Sequence, residues 1–223
     1  MKLTIVVPIF NETECLPIFT KLLDEIESSN VNFLLVDNGS TNPLVEKLLK
    51  SDSKAWSSLR TEINLGFGGG IMFGIDACES PFVGWMPGNL KVDPREFVNL
   101  LGQIELKEKQ LIKSSRVSRD AVAKIKTQTL GLIQSVLLKT NMFDSGGTPT
   151  VCSKSFLKSL QEPPKDYVFE SFVLFNARKK GLEVKRPAVN YGKRAFGQSH
   201  WQRGFKSEVQ LFIRIWTESR KWY

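Results

Sequence analysis

The 223-residue chain is 41% hydrophobic, 24% charged and 10% aromatic, which excludes a disordered chain and a disulfide-rich secreted module. Its 31 Lys and Arg residues outnumber 23 Asp and Glu residues, and the net charge of +8 indicates an anionic partner. Cys15, Cys78 and Cys152 show no CxxC spacing, which predicts a reducing compartment and no zinc site. Because no stretch approaches 18 apolar residues, we expect a cytoplasmic protein, soluble or peripheral at the inner face of the membrane.

The first half of the chain alternates between strand and helix patterns. Short apolar runs predict strands at 3–7, 33–36, 59–62, 82–85 and 110–113. Helical spacing predicts helices at 14–28, 43–50, 70–78, 95–106 and 121–139. After a turn at 144–149 the chain resumes at 151–160, followed by a helix at 167–180 and a strand at 182–189. This order predicts one α/β domain over 1–200 with a mostly parallel, doubly wound sheet.

Polar and turn-forming residues follow four of the predicted strands. They occupy 8–12, 37–40, 64–70 and 87–91, where loops at the carboxyl ends of parallel strands form a ligand crevice. The glycines within 66–70 precede a helix, whose amides could bind phosphate oxygens. Their spacing is neither GxGxxG nor that of a P-loop, so a purely structural role is equally open.

Five blocks now carry a resemblance. TIVVPIFNE, LLVDNGSTN, INLGFGGGIMFGIDAC and FVGWMPGNLKVDP occur in the order of family 2 glycosyltransferases with the GT-A fold. The later KKGLEVKRPAVNYGKRAFGQS resembles dolichol-phosphate mannose synthases and related polyprenyl-phosphate sugar transferases. The resemblance implies a three-layer GT-A sandwich that moves a sugar, with inversion, from a UDP- or GDP-linked donor. The implied acceptor is a glycan or lipid phosphate in surface polysaccharide or glycolipid synthesis.

The resemblance also implies the donor-binding residues. They lie at the strand ends and are Pro8, Asn11, Glu12, Asp37, Gly39, Asn64, Gly66, Gly69, Asn89, Lys91 and Arg116. A carboxylate such as Asp37 can accept hydrogen bonds from a base N–H or ribose hydroxyls. The alternative is that Asp37 caps the following turn.

The sequence departs from the family where an Asp-X-Asp motif normally holds a divalent metal against the diphosphate. Pro87-Gly88-Asn89 stands there instead, and a proline side chain cannot ligate a metal. Binding of Mg or Mn is therefore in doubt, and two interpretations stay open. In one, Lys91 replaces the metal charge with help from Arg116 or Arg194. In the other, the chain is a noncatalytic nucleotide-sugar or partner-binding module.

Three carboxylates are candidates for the catalytic base. Asp144 ranks first because it resembles the aspartate before the acceptor segment of polyprenyl-phosphate transferases. Asp166 and Glu170 open the helix at 167–180, and Asp166 could equally be a favourable charge at a helix N-terminus. An acceptor phosphate would need less help from a base because it is already ionised near neutral pH.

The last part of the chain offers two further features. Arg194, Ser199 and His200 match the family's arginine-glycine-serine loop, which implies contact with a donor or acceptor phosphate. Residues 201–223 predict an amphipathic basic helix that lies in a lipid interface or packs on the domain or a second subunit. We expect no nucleic-acid partner because the basic residues are dispersed along the chain.

Overall fold

The structure is a computed structural model that describes residues 3–28, 30–50, 53–118, 120–192 and 205–222. Its strands are β1 (Leu3–Ile9), β2 (Val31–Asn38), β3 (Trp56–Thr61), β4 (Phe82–Trp85), β5 (Gln110–Lys113), β6 (Ser115–Val117), β7 (Thr150–Ser153), β8 (Glu183–Lys185) and β9 (Ala188–Asn190). Its helices are α1 (Leu16–Asp24), α2 (Pro43–Leu49), α3 (Phe67–Ala77), α4 (Pro94–Leu101), α5 (Ala121–Leu137), α6 (Lys154–Lys158), α7 (Val168–Lys179) and α8 (Phe205–Ser219).

Seven strands form the central sheet in the order β3-β2-β1-β4-β7-β5-β8. All neighbours run parallel except β7, which is antiparallel to both β4 and β5. The inner strands β1 and β2 are mostly apolar on both faces because helices cover both sides of the sheet there. The predicted α/β three-layer architecture with a mostly parallel sheet is confirmed.

Two buried apolar clusters join the helical layers to the sheet, one on each face. One side of the sheet packs Leu16 and Phe19 of α1 and Phe97 of α4 against β1 and β2. The other side packs Ile71 of α3 and the buried face of α7 against β4 and β5. These layers fix the sheet, so the loops at its carboxyl edge are held from both faces.

Helix starts follow the cap residues in the sequence. The side chain of Asn42 accepts a hydrogen bond from the amide of Leu44, and that of Asp93 accepts one from Arg95. Each cap is followed by a proline, whose fixed φ suits the first helical position. The predicted starts at 43 and 95 are therefore correct to within one residue.

The predicted strand at 182–189 is wrong as a single element. The chain forms β8 and β9 with Arg186 and Pro187 between them, and proline cannot donate to a ladder. β8 pairs with β5 of the main sheet, whereas β9 pairs with β6 in a separate two-stranded sheet. β6 was not predicted because three half-exposed residues give no apolar run.

Residues 114–149 form an excursion between β5 and β7. Because β7 is antiparallel, Lys113 at the end of β5 lies opposite Thr150 at the start of β7. The amide of Ser114 donates to the carbonyl of Pro149 at 3.1 Å and closes the base of the excursion. The excursion therefore leaves and returns at the carboxyl edge of the sheet.

α8 packs on α7. Ile215 and Trp222 are buried, and the Trp222 ring lies 5.4 Å from that of Phe172 between ring centroids. Ile213 and Trp216 are exposed on the other side of the helix. The predicted apolar face also included Phe205, Val209 and Phe212, whose side chains lie outside the described part of the chain.

Candidate active site

The loops after β1 and β2 are joined by Asn11. Its backbone has φ of 55°, a left-handed conformation that asparagine tolerates better than most residues. Its side-chain oxygen accepts from the amides of Thr41 at 3.0 Å and Asn42 at 3.2 Å. The backbone amide of Asn11 donates to Ser40 Oγ at 3.0 Å. The hydrogen bonds of Asn11 therefore hold the two loops together. Of the other predicted residues here, Pro8 lies within β1 and Glu12 is half-buried in the loop after it.

Asp37 at the end of β2 is only 1% exposed. Its Oδ1 accepts from the amide of Ser40 at 2.9 Å, and its Oδ2 lies 2.7 Å from Arg60 Nη1. The carboxylate therefore caps the following turn, as in the alternative considered for the sequence. Arg60, which the sequence patterns did not single out, keeps a side chain 44% exposed beside it.

The glycine-rich segment packs against protein backbone. Gly66 has φ of 80°, and a Cβ there would lie 2.4 Å from the carbonyl oxygen of Lys165. The amide of Gly69 donates to that carbonyl, and the amide of Gly66 donates to Asn64 Oδ1. Both amides are therefore hydrogen-bonded within the fold, and the donor contact of Gly66 and Gly69 stays a prediction. Gly39 is likewise required by close approach, since its Cβ would lie 2.3 Å from the carbonyl carbon of Ile63.

The end of β4 does not offer a metal site. Asn89 Oδ1 accepts from the amide of Lys91 at 3.3 Å, and a Cβ on Gly88 would meet Ile9. Within the described ranges, no group of three or more His, Cys, Asp or Glu residues could hold a metal ion. One neutral amide oxygen does not provide the carboxylates that Mg or Mn prefers, so the residues present do not fit the family's metal.

Lys91 and Arg116 both lie close to the ring of Tyr191. Lys91 Nζ and Arg116 Cζ are each 5.4 Å from the centre of the Tyr191 ring. The amide of Gly192 donates to the Lys91 carbonyl at 2.8 Å, which fixes the end of β9 against the loop after β4. The site therefore combines two cations and an aromatic ring, a combination suited to a nucleotide diphosphate. Tyr191 is in a motif that carried the resemblance, but nothing in the sequence alone distinguished it.

Arg116 forms an ion pair with Asp144. The guanidinium contacts Asp144 Oδ1 through Nε and Nη2, and the Arg116 amide donates to Oδ2 at 3.3 Å. Burial alone would raise the pKa of Asp144, but Arg116 outweighs burial and holds that pKa below its ordinary value. Asp144 is therefore ionised near neutral pH and only weakly basic.

Glu170 lies behind this pair rather than in the crevice. Its carboxylate contacts Lys113 Nζ and accepts from Trp85 Nε1 at 2.7 Å. The side chains of Lys113 and Glu170 are 0% and 5% exposed. Burial lowers the pKa of Lys113, and Glu170 opposes that shift. Lys113 ends a short strand and Glu170 lies 57 residues later in a helix, so nothing in the sequence indicated this buried pair.

Asp166, another candidate base, has partners of its own. Asp166 Oδ1 accepts from the amide of Val168 at the start of α7, and its carboxylate pairs with Arg214 of α8. Asp166 thus acts as a charge at a helix N-terminus. Arg194, Ser199 and His200 lie outside the described residues.

The sheet order, the loops at its carboxyl edge and the cations around Tyr191 define a GT-A type nucleotide-sugar transferase fold. The family model for glycosyl transferase family 2 matches residues 4–161. The chain therefore belongs to glycosyl transferase family 2.

Solved structures agree on the fold. Glucosyl-3-phosphoglycerate synthase from Mycobacterium tuberculosis in complex with UDP has a TM-score of 0.74 and 17% identity. That similarity covers 99% of this chain and 79% of that chain. The same enzyme with Mn²⁺, UDP and phosphoglyceric acid has a TM-score of 0.72 and 19% identity, over 98% and 77% of the two chains. At these identities the likeness shows the fold alone.

A curated relative shares more sequence over a shorter range. Dodecaprenyl-phosphate galacturonate synthase from Rhizobium johnstonii is 27% identical over 128 residues, or 53% of this chain. The match covers 37% of the relative's length. Among the helices described, none is both long enough and apolar enough to cross a membrane.

Proposed function

We propose that the protein transfers a sugar, with inversion, from a UDP- or GDP-linked donor to a phosphate-bearing lipid acceptor, without a divalent metal. The observation that carries the proposal is the arrangement of Lys91 and Arg116 around Tyr191, beside Asp144. The relatives support the substrate classes, since one is a dodecaprenyl-phosphate galacturonate synthase and another was solved with UDP.

Lys91 takes the role that a metal has in related sites. In the proposed reaction an acceptor phosphate oxygen bonds to the anomeric carbon as the bond to the nucleoside diphosphate breaks. The leaving diphosphate keeps the electron pair and gains negative charge at the β-phosphate. A lysine held in place by the loop after β4 stabilises that charge where asparagine and proline cannot.

The low basicity of Asp144 favours a phosphate acceptor over a sugar hydroxyl. A carboxylate paired with arginine is a poor base for a hydroxyl proton. A phosphate that is already ionised needs no proton removed. Asp144 then serves to hold Arg116, whose guanidinium is suited to binding phosphate oxygens.

A noncatalytic nucleotide-sugar-binding module is the second candidate. The ion pairs favour it, because Asp144 is paired with Arg116 and Glu170 with Lys113, and a paired carboxylate is a poor catalytic base. Binding of a nucleotide without transfer separates this candidate from the first.

The test combines binding and turnover. Calorimetric titration with UDP, GDP and their sugar conjugates, with and without Mn²⁺, should identify a donor whose affinity is independent of metal. Transfer from that donor to polyprenyl phosphate in detergent should fall by about 10²-fold in Lys91→Ala. Lys109→Ala is the matched control, because Lys109 is exposed immediately before β5, at the opposite edge of the sheet.

Three results would change the assignment. Unchanged turnover in Lys91→Ala would remove Lys91 from the mechanism. A donor affinity that requires Mn²⁺ would contradict the metal-independent reaction. Nucleotide binding with no transfer to any acceptor would favour the noncatalytic module.

A further inference from the structure

α5 presents an apolar face to solvent. Val122, Ile125, Leu132 and Val136 are 63%, 61%, 55% and 69% exposed, and we call these four residues the α5 stripe. Together with the exposed Thr129 they follow alternating spacings of three and four, which place them on one side of a helix. The stripe extends about 21 Å along the helix axis at the usual rise per residue.

A helix on a globular domain normally buries its branched apolar side chains. α5 does the reverse, since Gly131 and Gln134 are its buried residues. Gln134 Nε2 donates to Ser171 Oγ at 3.1 Å, so a polar contact holds the inner face of α5 against α7. The packing of the helix therefore fixes the stripe on its outer side. Exposed apolar patches of this kind mark interaction sites.

Further exposed apolar residues lie on segments that contact α5. α8 packs beside α5 and exposes Ile213 and Trp216, which are 51% and 37% exposed. Phe143 follows α5, with its backbone against Gly131 and its side chain 45% exposed. Phe143 directly precedes Asp144, so this surface reaches the candidate acceptor site.

Basic residues outnumber acidic ones around the stripe. No acidic residue occurs between 121 and 139, whereas Lys124, Lys126 and Lys139 are exposed there. On 213–222, which comprises the end of α8 and the three residues after it, Arg214, Arg220 and Lys221 outnumber Glu218. Two copies joined through this surface would place lysines against lysines, which opposes self-association. An apolar stripe bordered by basic residues matches an anionic lipid surface.

We propose that the α5 stripe docks the protein onto an anionic lipid bilayer. The helix lies in the interface with its branched side chains among the acyl chains and its lysines at the head groups. The docking itself stands apart from the proposed function. The inference rests on that function only in one consequence, that a lipid-linked acceptor would approach Asp144 along α5 and Phe143.

Vesicle flotation tests the docking without any nucleotide. The purified chain is mixed with vesicles of phosphatidylcholine and phosphatidylglycerol, or of phosphatidylcholine alone, at low and high salt. We expect binding to the anionic vesicles that weakens with salt. The triple variant Ile125→Gln, Leu132→Gln and Val136→Gln should reduce partitioning at least about tenfold, because each change removes buried apolar contact with lipid.

The controls separate lipid contact from folding and from donor binding. Glutamine is a good helix former, so the triple variant should keep the thermal unfolding midpoint of the parent chain. Leu44→Gln, on α2 at the other end of the sheet, removes an apolar side chain that is 46% exposed and should leave vesicle binding unchanged. The nucleotide affinity of the triple variant should also be unchanged, so a failure of docking is distinguishable from a failure of the proposed transferase.

Two outcomes would overturn the proposal. One is parent-like flotation of the triple variant. The other is absence of vesicle binding together with a concentration-dependent dimer, seen by sedimentation, that the triple variant abolishes. The second outcome would assign the stripe to contact between two copies of the chain.

Discussion

The buried pair of Lys113 and Glu170 gives a quantitative test of how the acceptor side is held. The change Lys113→Met keeps an unbranched side chain of similar length and leaves the Glu170 charge in an interior position. Because Trp85 Nε1 then remains as its donor without a countercharge, we expect a loss of about 3–5 kcal/mol in the free energy of unfolding. Urea denaturation followed by tryptophan fluorescence measures that loss.

The double variant Lys113→Met with Glu170→Gln isolates the charge. Glutamine keeps an oxygen for Trp85 and carries no charge, so the double variant should recover at least half of the stability lost by Lys113→Met. Lys158→Ala is the matched control, because its pair with Asp76 is exposed and should contribute less than about 1 kcal/mol. The reasoning is refuted if Lys113→Met loses no more stability than Lys158→Ala. It is also refuted if the loss in the double variant equals the sum of the losses in Lys113→Met and in Glu170→Gln measured singly.

Two further changes test the packing and the charge of the site. Gly66→Ala should lose about 1–3 kcal/mol of unfolding free energy, because its φ is positive and its Cβ would meet the Lys165 carbonyl. Gly181→Ala should lose only about 1 kcal/mol, since Gly181 also has a positive φ but no atom lies within 4 Å of an added Cβ. Urea titration of both variants decides whether the close approach matters. Despite burial, Arg116 lowers the folded-state pKa of Asp144, so this carboxylate stabilises the fold above its ordinary pKa of about 3.9 and loses that effect as pH falls through the folded value. Asp144→Asn should therefore be less stable than the parent at about pH 7, with a gap that narrows below about pH 4; a gap independent of pH would contradict this.

The layers of the fold were predictable because apolar runs and helical spacing are local signals. Residues 82–85 and 110–113 form strands with the predicted bounds, since each run is fully buried. Pro43 and Pro94 likewise mark helix starts through the cap residues before them. The strand predicted at 182–189 failed because periodicity does not report which of two sheets a segment joins.

The candidate site was less predictable because its charges are satisfied by distant residues. The sequence identified Asp37, Arg116 and Asp144, yet could not show that Arg60 lies against Asp37 or that Arg116 is paired with Asp144. Pairs separated by more than 20 residues leave no mark in spacing. The glycines of the loop after β3 were singled out as possible phosphate-binding residues, and the sequence could not show that Gly66 and Gly68 pack against the backbone of 164–165.

The closed base of the excursion at 114–149 has an evolutionary consequence. Because the two ends of the excursion meet at one edge of the sheet, where Ser114 donates to the Pro149 carbonyl, its helical part at 121–139 can change sequence without altering the register of the main sheet. The Asn11-linked loops and the turn after β2 sit on other strands and are untouched by such changes. In this architecture the side of the crevice next to the excursion can diversify while the loops after β1 and β2 keep their shape, so closely related chains can come to bind different ligands on that side.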